Sequence, residues 1–268
     1  MKNIIKKNKY LLISLSILLL WGGYEVFRTL HENLGYTDPI LYFYHLFSDL
    51  SLYNIQIIGP LFVIVPSIIQ FHKELSSGYI KNVLTRVEYK KYMKKKYLEA
   101  LKCSLILPIF IIIMFLCSCI LAKGFAIGSN AEYYGWVMSP DPKYLANIPL
   151  FMFTYVFVIF LHNILYINLG LLFCKKNANV LVSIVLGYLS FIVLDIVMEI
   201  LLGNIILSLL LNLRNLTDSF NLFNIWVYDN VKSLWLVIGY SFALVFSTTL
   251  LLIKTYKNKE SVLIEIEK

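Results

Sequence analysis

IPLFMFTYVFVIFLHNILYINLGLLF, running from Ile148 to Phe173, is the stretch that decides the fold. It contains no Asp, Glu, Lys or Arg. A bilayer hydrocarbon core about 30 Å thick is crossed by roughly 20 helical residues at about 1.5 Å of rise each, and this run is longer than that. A segment in lipid must satisfy its backbone hydrogen bonds internally, and the strict alternation of a membrane barrel strand is absent. The stretch therefore reads as a transmembrane helix.

Five further apolar runs flank it, at Tyr10–Leu30, Leu50–Phe71, Cys103–Ala122, Asn179–Leu202 and Leu234–Ile253. The whole chain agrees with them: 59% of the 268 residues are hydrophobic and 15% charged, and the mean hydropathy is +0.73, well outside the range of a soluble domain. The expected fold class is an all-α integral membrane protein of about six transmembrane helices. Lys2, Lys6, Lys7 and Lys9 before the first run also fit a signal peptide. No small-residue cleavage site follows, however, and Trp21-Gly22-Gly23-Tyr24-Glu25 reads as an interfacial exit, so a mature helix is expected. Cys103, Cys117, Cys119 and Cys174 fall in or at the ends of apolar runs without zinc-ligand spacing and read as membrane-embedded thiols, with neither disulfide nor metal expected.

Lysine and arginine set the orientation. With the N-terminus inside, the cytoplasmic side holds the four N-terminal lysines and nine basic residues of Lys73–Lys102. Lys175, Lys176, Lys254, Lys257, Lys259 and Lys268 join them, 19 in all; Arg28, Lys123, Lys143, Arg214 and Lys232 lie outside. Such an excess in short flanking loops marks the cytoplasmic face, so both termini are expected there, which requires an even number of spans. The net charge of +8 reads as this topology signal and as attraction to anionic membrane lipid; no nucleic-acid recognition motif accompanies it. On the external side, His31–Asp49 is rich in tyrosine and phenylalanine, which suits an interfacial anchor or a substrate-facing vestibule. Residues 203–232 are half apolar and broken by Asn204, Asn212, Arg214, Asn215, Asp218 and Asn221, and are expected to form re-entrant or interfacial helices.

The cytoplasmic segment 72–102 carries the most specific pattern. Glu74 is followed by Gly78, then Leu84-Thr85-Arg86, then Lys96-Tyr97-Leu98. In that order, with the Gly four residues after the Glu, these residues resemble the loop after the second span of ABC-2-type transporter permeases. The likeness is sharpest over about 28 residues, and the six-span layout extends it to the whole chain as a single permease domain, 1–268, of type V exporter-like topology. It implies that the loop is a coupling helix docked on a nucleotide-binding ATPase subunit through Glu74, Gly78, Tyr79, Val83, Leu84 and Arg86. It also implies a second permease chain, in a homodimer or heterodimer, to enclose a path. Independently of the resemblance, Tyr79, Val83 and Leu84 fall at i, i+4 and i+5 and give a short helix an apolar edge. The bland alternative is a solvated basic loop that only enforces topology. The chain has no G-x-x-x-x-G-K-[ST] segment to cradle phosphates. It is therefore expected not to be an enzyme and to bind no cofactor itself, with ATP and Mg held by the partner ATPase.

Within the spans, His162 lies about 17 Å above Phe173, near mid-bilayer. Thr154 or Tyr155, His162, Asn163, Tyr166 and Gly170 follow one helical face, a polar stripe suited to a substrate path (Tyr155, His162, Asn163, Tyr166) or to a packed interface. Asp195 and Glu199, at i and i+4, sit about 24 Å and 30 Å up from Asn179, too near the external headgroups for a mid-membrane proton relay. An axial offset of roughly 7 Å also argues against pairing of Asp195 with His162. Gly239-Tyr240-Ser241 lacks the following Gly of a nucleophile elbow, and no His-Glu-x-x-His is present, so intramembrane proteolysis is disfavoured. A proton-coupled secondary transporter and a non-transporting sensor or assembly protein remain as alternatives to the exporter. The aromatic, apolar walls favour an amphipathic peptide, an antimicrobial or a lipid-like molecule as substrate.

The charge distribution yields a direct test of topology. Single cysteines near Lys91 and Lys259 should react with an impermeant thiol reagent only from the cytoplasmic side, and those near Gly128 and Asn215 only from outside. External labelling near Lys91 would overturn the orientation.

Overall fold

The computed structural model describes residues 9–32, 39, 42–43, 46, 50–76, 87–122, 148–175, 179–198 and 231–257. Among them there is no strand. The helices are α1 (Lys9–Glu32), α2 (Leu50–Ser76), α3 (Tyr89–Leu101), α4 (Ile106–Leu121), α5 (Ile148–Cys174), α6 (Val180–Met198) and α7 (Val231–Thr255). Four helical stretches are long and apolar enough to cross a membrane: Lys9–Glu32, Tyr89–Leu121, Met152–Cys174 and Ile238–Thr255. Ile58–Lys73 and Val180–Leu194 are apolar but shorter. The described part of the chain is thus all-helical, with the long apolar helices of a membrane protein.

Several elements reach past the apolar runs. The first helix continues through Trp21-Gly22-Gly23 to Glu32 rather than leaving the bundle at Glu25. Gly22 allows this by close packing, since a Cβ there would stand 2.7 Å from Met114 Sδ and 2.8 Å from Phe110 Cε2. The segment 72–102 is helical at both ends, because α2 extends to Ser76 and α3 begins at Tyr89. Residues 77–86 and 199–230 lie outside the described residues.

Helices α3 and α4 form one rod of 33 residues, Tyr89–Leu121, joined by the 3₁₀ turn Lys102–Leu105. The cause of the turn lies one step further on. Pro108 has no N–H to offer the carbonyl four residues back, which belongs to Ser104, and its ring crowds that carbonyl. A 3₁₀ turn is the local adjustment, and the Asn163 side chain of α5 supplies the missing donor, with Nδ2 donating to Ser104 O at 2.8 Å.

Helix α5 is the central element. It is apolar all round, which is the signature of a helix enclosed by others. It packs most extensively on α6 and α7, then on α2 and α4. The α5–α6 crossing is set by two glycines: a Cβ on Gly187 would lie 2.6 Å from Gly170 Cα and 3.1 Å from Gly170 N, so only hydrogen there lets the backbones meet. Leucines and isoleucines such as Leu20, Ile120, Leu181 and Ile253 are exposed, whereas Ser67, Ser104, Asn163, Asn168, Ser183 and Ser241 are buried. This inside-out arrangement suits an apolar solvent, in which polar groups do better against each other than against lipid.

The helix ends are ordered. Lys73 at the end of α2 donates to the Tyr10 hydroxyl at the start of α1 and stands 4.8 Å from its ring centroid. Tyr89 Oη donates to Tyr256 O at 2.8 Å, and Lys175 Nζ donates to Thr255 O at 3.0 Å. The start of α1, the end of α2, the start of α3 and the ends of α5 and α7 therefore gather at one end of the bundle, the end carrying most of the lysines.

The glycine contact predicts opposite outcomes for two conservative changes. Gly187→Ala forces backbone apart and should destabilise the protein by about 1–3 kcal/mol. Gly239→Ala, whose Cβ meets nothing within 4 Å, should be tolerated. Thermal unfolding in detergent would read the difference, and equal melting of the two variants would refute the proposed crossing.

Candidate functional site

The polar residues of α5 form a spine, and each reaches a different helix. Near the middle, His162 Nε2 and Ser241 Oγ of α7 are 3.1 Å apart, and Asn163 bonds the Ser104 carbonyl. One and a half turns on, Asn168 is a junction of three elements. Its Oδ1 accepts from Tyr97 Oη of α3 at 2.9 Å, while its Nδ2 donates to Thr248 Oγ1 at 3.1 Å and to Thr249 Oγ1 at 3.0 Å, both of α7. Below it, Tyr256 Oη donates to Leu171 O at 2.8 Å.

Tyr155, His162, Asn163 and Tyr166 are all buried. The ring of Tyr155 meets Phe43 edge-on at 6.2 Å, and that of Tyr166 meets Phe191 of α6 edge-on at 4.3 Å. His162 is 6.5 Å from Tyr166, ring to ring. Within one chain, then, the stripe is a packed interface: Tyr155, His162 and Tyr166 share a face, and Gly170 ends it where Ile68 and Gly187 approach. Asn163 turns instead towards the start of α4.

Of the coupling residues, Glu74 lies in the last described turn of α2 with its side chain outside the description. Gly78, Tyr79, Val83, Leu84 and Arg86 fall outside the described residues. The downstream part of the motif is visible in α3. Lys96 pairs with Glu99 at 2.7 Å, Leu98 is exposed, and Tyr97 carries the bond to Asn168. The side chain of Asp195 and all of Glu199 are likewise outside the description.

No family model, curated protein or solved structure matches the chain. The site has to be judged on its own chemistry. The four cysteines are free thiols, and no group of three His, Cys, Asp or Glu able to hold a metal occurs among the described residues. The His162–Ser241 contact has the separation of a general base and a nucleophile. Yet Ser241 stands inside α7, where the backbone N–H groups are committed to the helix and none is left for an oxyanion. Among the described residues His162 Nδ1 has no hydrogen-bond partner to orient the ring, and the two residues are 3% and 1% exposed. The pair ties α5 to α7. A buried carboxylate sits towards the far end of α1, where Glu25, 1% exposed, pairs with Arg28 at 3.2 Å, and Arg28 stands 3.6 Å from Glu32.

The polar stripe that carries His162 does not include Asn168, which lies on the opposite side of α5. The available signal was chemical: an amide deep in an apolar run needs partners on other helices whichever way it points.

Two substitutions separate the junction from the histidine. Asn168→Ala strands the Tyr97 hydroxyl and should cost about 1–2 kcal/mol of stability, whereas His162→Gln keeps a hydrogen-bonding group for Ser241 and should preserve expression and folding. Detergent melting curves compare them; a His162→Gln protein less stable than Asn168→Ala would reverse the ranking.

Proposed function

We propose that this chain is the permease subunit of an ATP-binding-cassette exporter of the ABC-2 type. It crosses the cell membrane six times, through α1, α2, α4, α5, α6 and α7, with both termini cytoplasmic. A second permease chain completes the substrate path, and a separate nucleotide-binding subunit holds ATP and Mg. The observation that carries this reading is the ordered series Glu74, Gly78, Leu84-Thr85-Arg86, Lys96-Tyr97-Leu98 in the segment between the second and third spans.

The geometry supplies a route by which such a loop would act. The motif ends in α3, which runs through the 3₁₀ turn into α4 as one rod and is bonded to the central helix through Tyr97 and Asn168. A push on residues 77–86 moves the rod's lower end. Asn168 passes the displacement to α7 through Thr248 and Thr249. ATP binding to the partner performs work only if it favours one arrangement of these helices over the other. The substrate class in best accord with apolar, aromatic walls is an amphipathic peptide, an antimicrobial or a lipid-like molecule.

The test is uncoupling. Gly78→Val, or Glu74→Ala combined with Arg86→Ala, should abolish transport and transport-linked ATPase stimulation in nanodiscs while leaving the membrane domain folded. Tyr97→Phe should weaken the coupling several-fold without releasing the ATPase. If the loop variants transport normally and retain their ATPase, or if the tagged chain co-purifies with no ATPase at all, the exporter reading fails.

A further inference from the structure

Helix α3 carries a positive face that no carboxylate among the described residues answers. Lys91, Lys94, Lys95 and Lys102 are exposed and, with Leu98 and Glu99, line a recess of about 380 Å³. Glu99 is engaged by Lys96 at 2.7 Å, and among the described residues no ion pair holds the other four lysines. At about 100° per residue, Lys91 sits roughly 200° round the helix from Tyr89. The lysine face is therefore turned away from α7, which Tyr89 holds through the Tyr256 carbonyl.

Four segments outside the described residues leave from this end of the bundle: 1–8, 77–86, 176–178 and 258–268. The first three contain no Asp or Glu, whereas the last contains Glu260, Glu265 and Glu267. Its starting point is fixed beside the first turn of α3. Tyr256 donates to Leu171 O at 2.8 Å, its ring meets Phe71 edge-on at 5.6 Å, and its carbonyl accepts from Tyr89. In the sequence that follows, Val262, Ile264 and Ile266 alternate with Leu263, Glu265 and Glu267. Alternation with β-branched residues on one side is the pattern of an extended segment with an apolar and an acidic face.

We infer that residues 263–268 lie extended along the lysine face of α3, with Glu265 and Glu267 paired to its lysines. Passing half-way round a helix about 10–12 Å across takes roughly 16–19 Å, or five to six extended residues at about 3.3 Å each. Residues 257–262 cover that path and deliver Leu263 to the far side. Glu265 and Glu267 then stand about 6.6 Å apart on one face of the segment, close to the rise of about 6 Å between Lys91 and Lys95. Ile264 and Ile266 point away from the lysines. A single exposed ion pair is weak, but a segment anchored at Tyr256 meets the lysines at an effective concentration on the order of millimolar. A second copy of the chain aligned on this face would instead set the same lysines against each other, which like charges oppose. The docked segment adds a tie between α7 and the α3–α4 rod beside the Tyr89 bond. It requires only that α3 and α7 share the lysine-rich end, and so does not depend on the exporter reading.

Zero-length carbodiimide coupling joins a carboxylate to an amine in direct contact, and it can be applied to the full chain in phosphatidylcholine nanodiscs. Peptide mass mapping should find Glu265 or Glu267 joined to Lys91, Lys94, Lys95 or Lys102 of the same chain, with isotope-mixed protein separating links within a copy from links between copies. The yield should fall several-fold at about 1 M salt, where the screening length is about 3 Å. Lys91→Glu with Lys95→Glu should lose most of the coupling, and adding Glu265→Lys with Glu267→Lys should restore it between the same positions. Phosphatidylglycerol nanodiscs should give the wild-type map unchanged. Three results would overturn the inference: links running chiefly to other lysines, links found only between copies, or loss of the links in phosphatidylglycerol, which would assign the recess to the lipid surface.

Discussion

Water does not compete for the amide of Asn168, so its donors and acceptor have to be matched on neighbouring helices. Tyr97 from α3 satisfies the oxygen, and Thr248 and Thr249 from α7 satisfy the nitrogen. One side chain thereby fixes three helices at a common level. The other inter-helix bonds fall into place around it: His162 to Ser241 above, and Tyr256 to the Leu171 carbonyl and Lys175 to the Thr255 carbonyl below. With α5 and α7 held at four levels, neither can slide or rotate past the other without breaking several bonds in a medium that offers no replacements.

The same scarcity of partners explains the join between α3 and α4. Proline is tolerated in a membrane helix when something else serves the carbonyl it leaves open, and here that donor is Asn163. Pro108 and Asn163 are far apart in sequence and function as a unit in space. Their consequence is mechanical as well as chemical: the 3₁₀ turn lies between a lysine-rich segment at the bundle's end and an apolar one, so the rod is both continuous and marked at the boundary. For the proposed permease, the rod is the part best placed to carry displacement from a cytoplasmic loop into the bundle. Small-residue contacts do the complementary work on the other side of α5, where Gly170 and Gly187 bring α6 in to backbone distance.

The candidate site was only partly legible in advance. His162, Asn163, Tyr155 and Tyr166 announce themselves as polar or aromatic groups deep in an apolar run, and all four are buried in the bundle core. Asn168 is as fully buried and better connected, but it lies nearer the end of the run and faces away from the stripe on which the others lie. The motif residue Tyr97 reads in sequence as a spacer between Lys96 and Leu98, and only its hydroxyl's position shows that it reaches the central helix. Glu25 reads as a residue at the membrane surface; the helix carries on past it, and it is buried beside Arg28.

What the sequence determined by itself was the set of helices, their apolar character and the clustering of lysines near particular ends. Each is a local demand, since hydrocarbon requires every spanning segment to close its own backbone bonds and exclude charge regardless of its neighbours. The tertiary structure alone decided which helix lies at the centre, which faces meet, and how far α1, α2 and α3 extend beyond the apolar runs. In a segment such as Ile148–Cys174, which carries the polar stripe of His162 on one side and the amide of Asn168 on another within an otherwise apolar run, no single face is marked as the one turned to a neighbour. That choice is made by the few groups that cannot be left alone in hydrocarbon, an asparagine amide, a carbonyl freed by proline and a pair of glycines, and their partners lie on other helices.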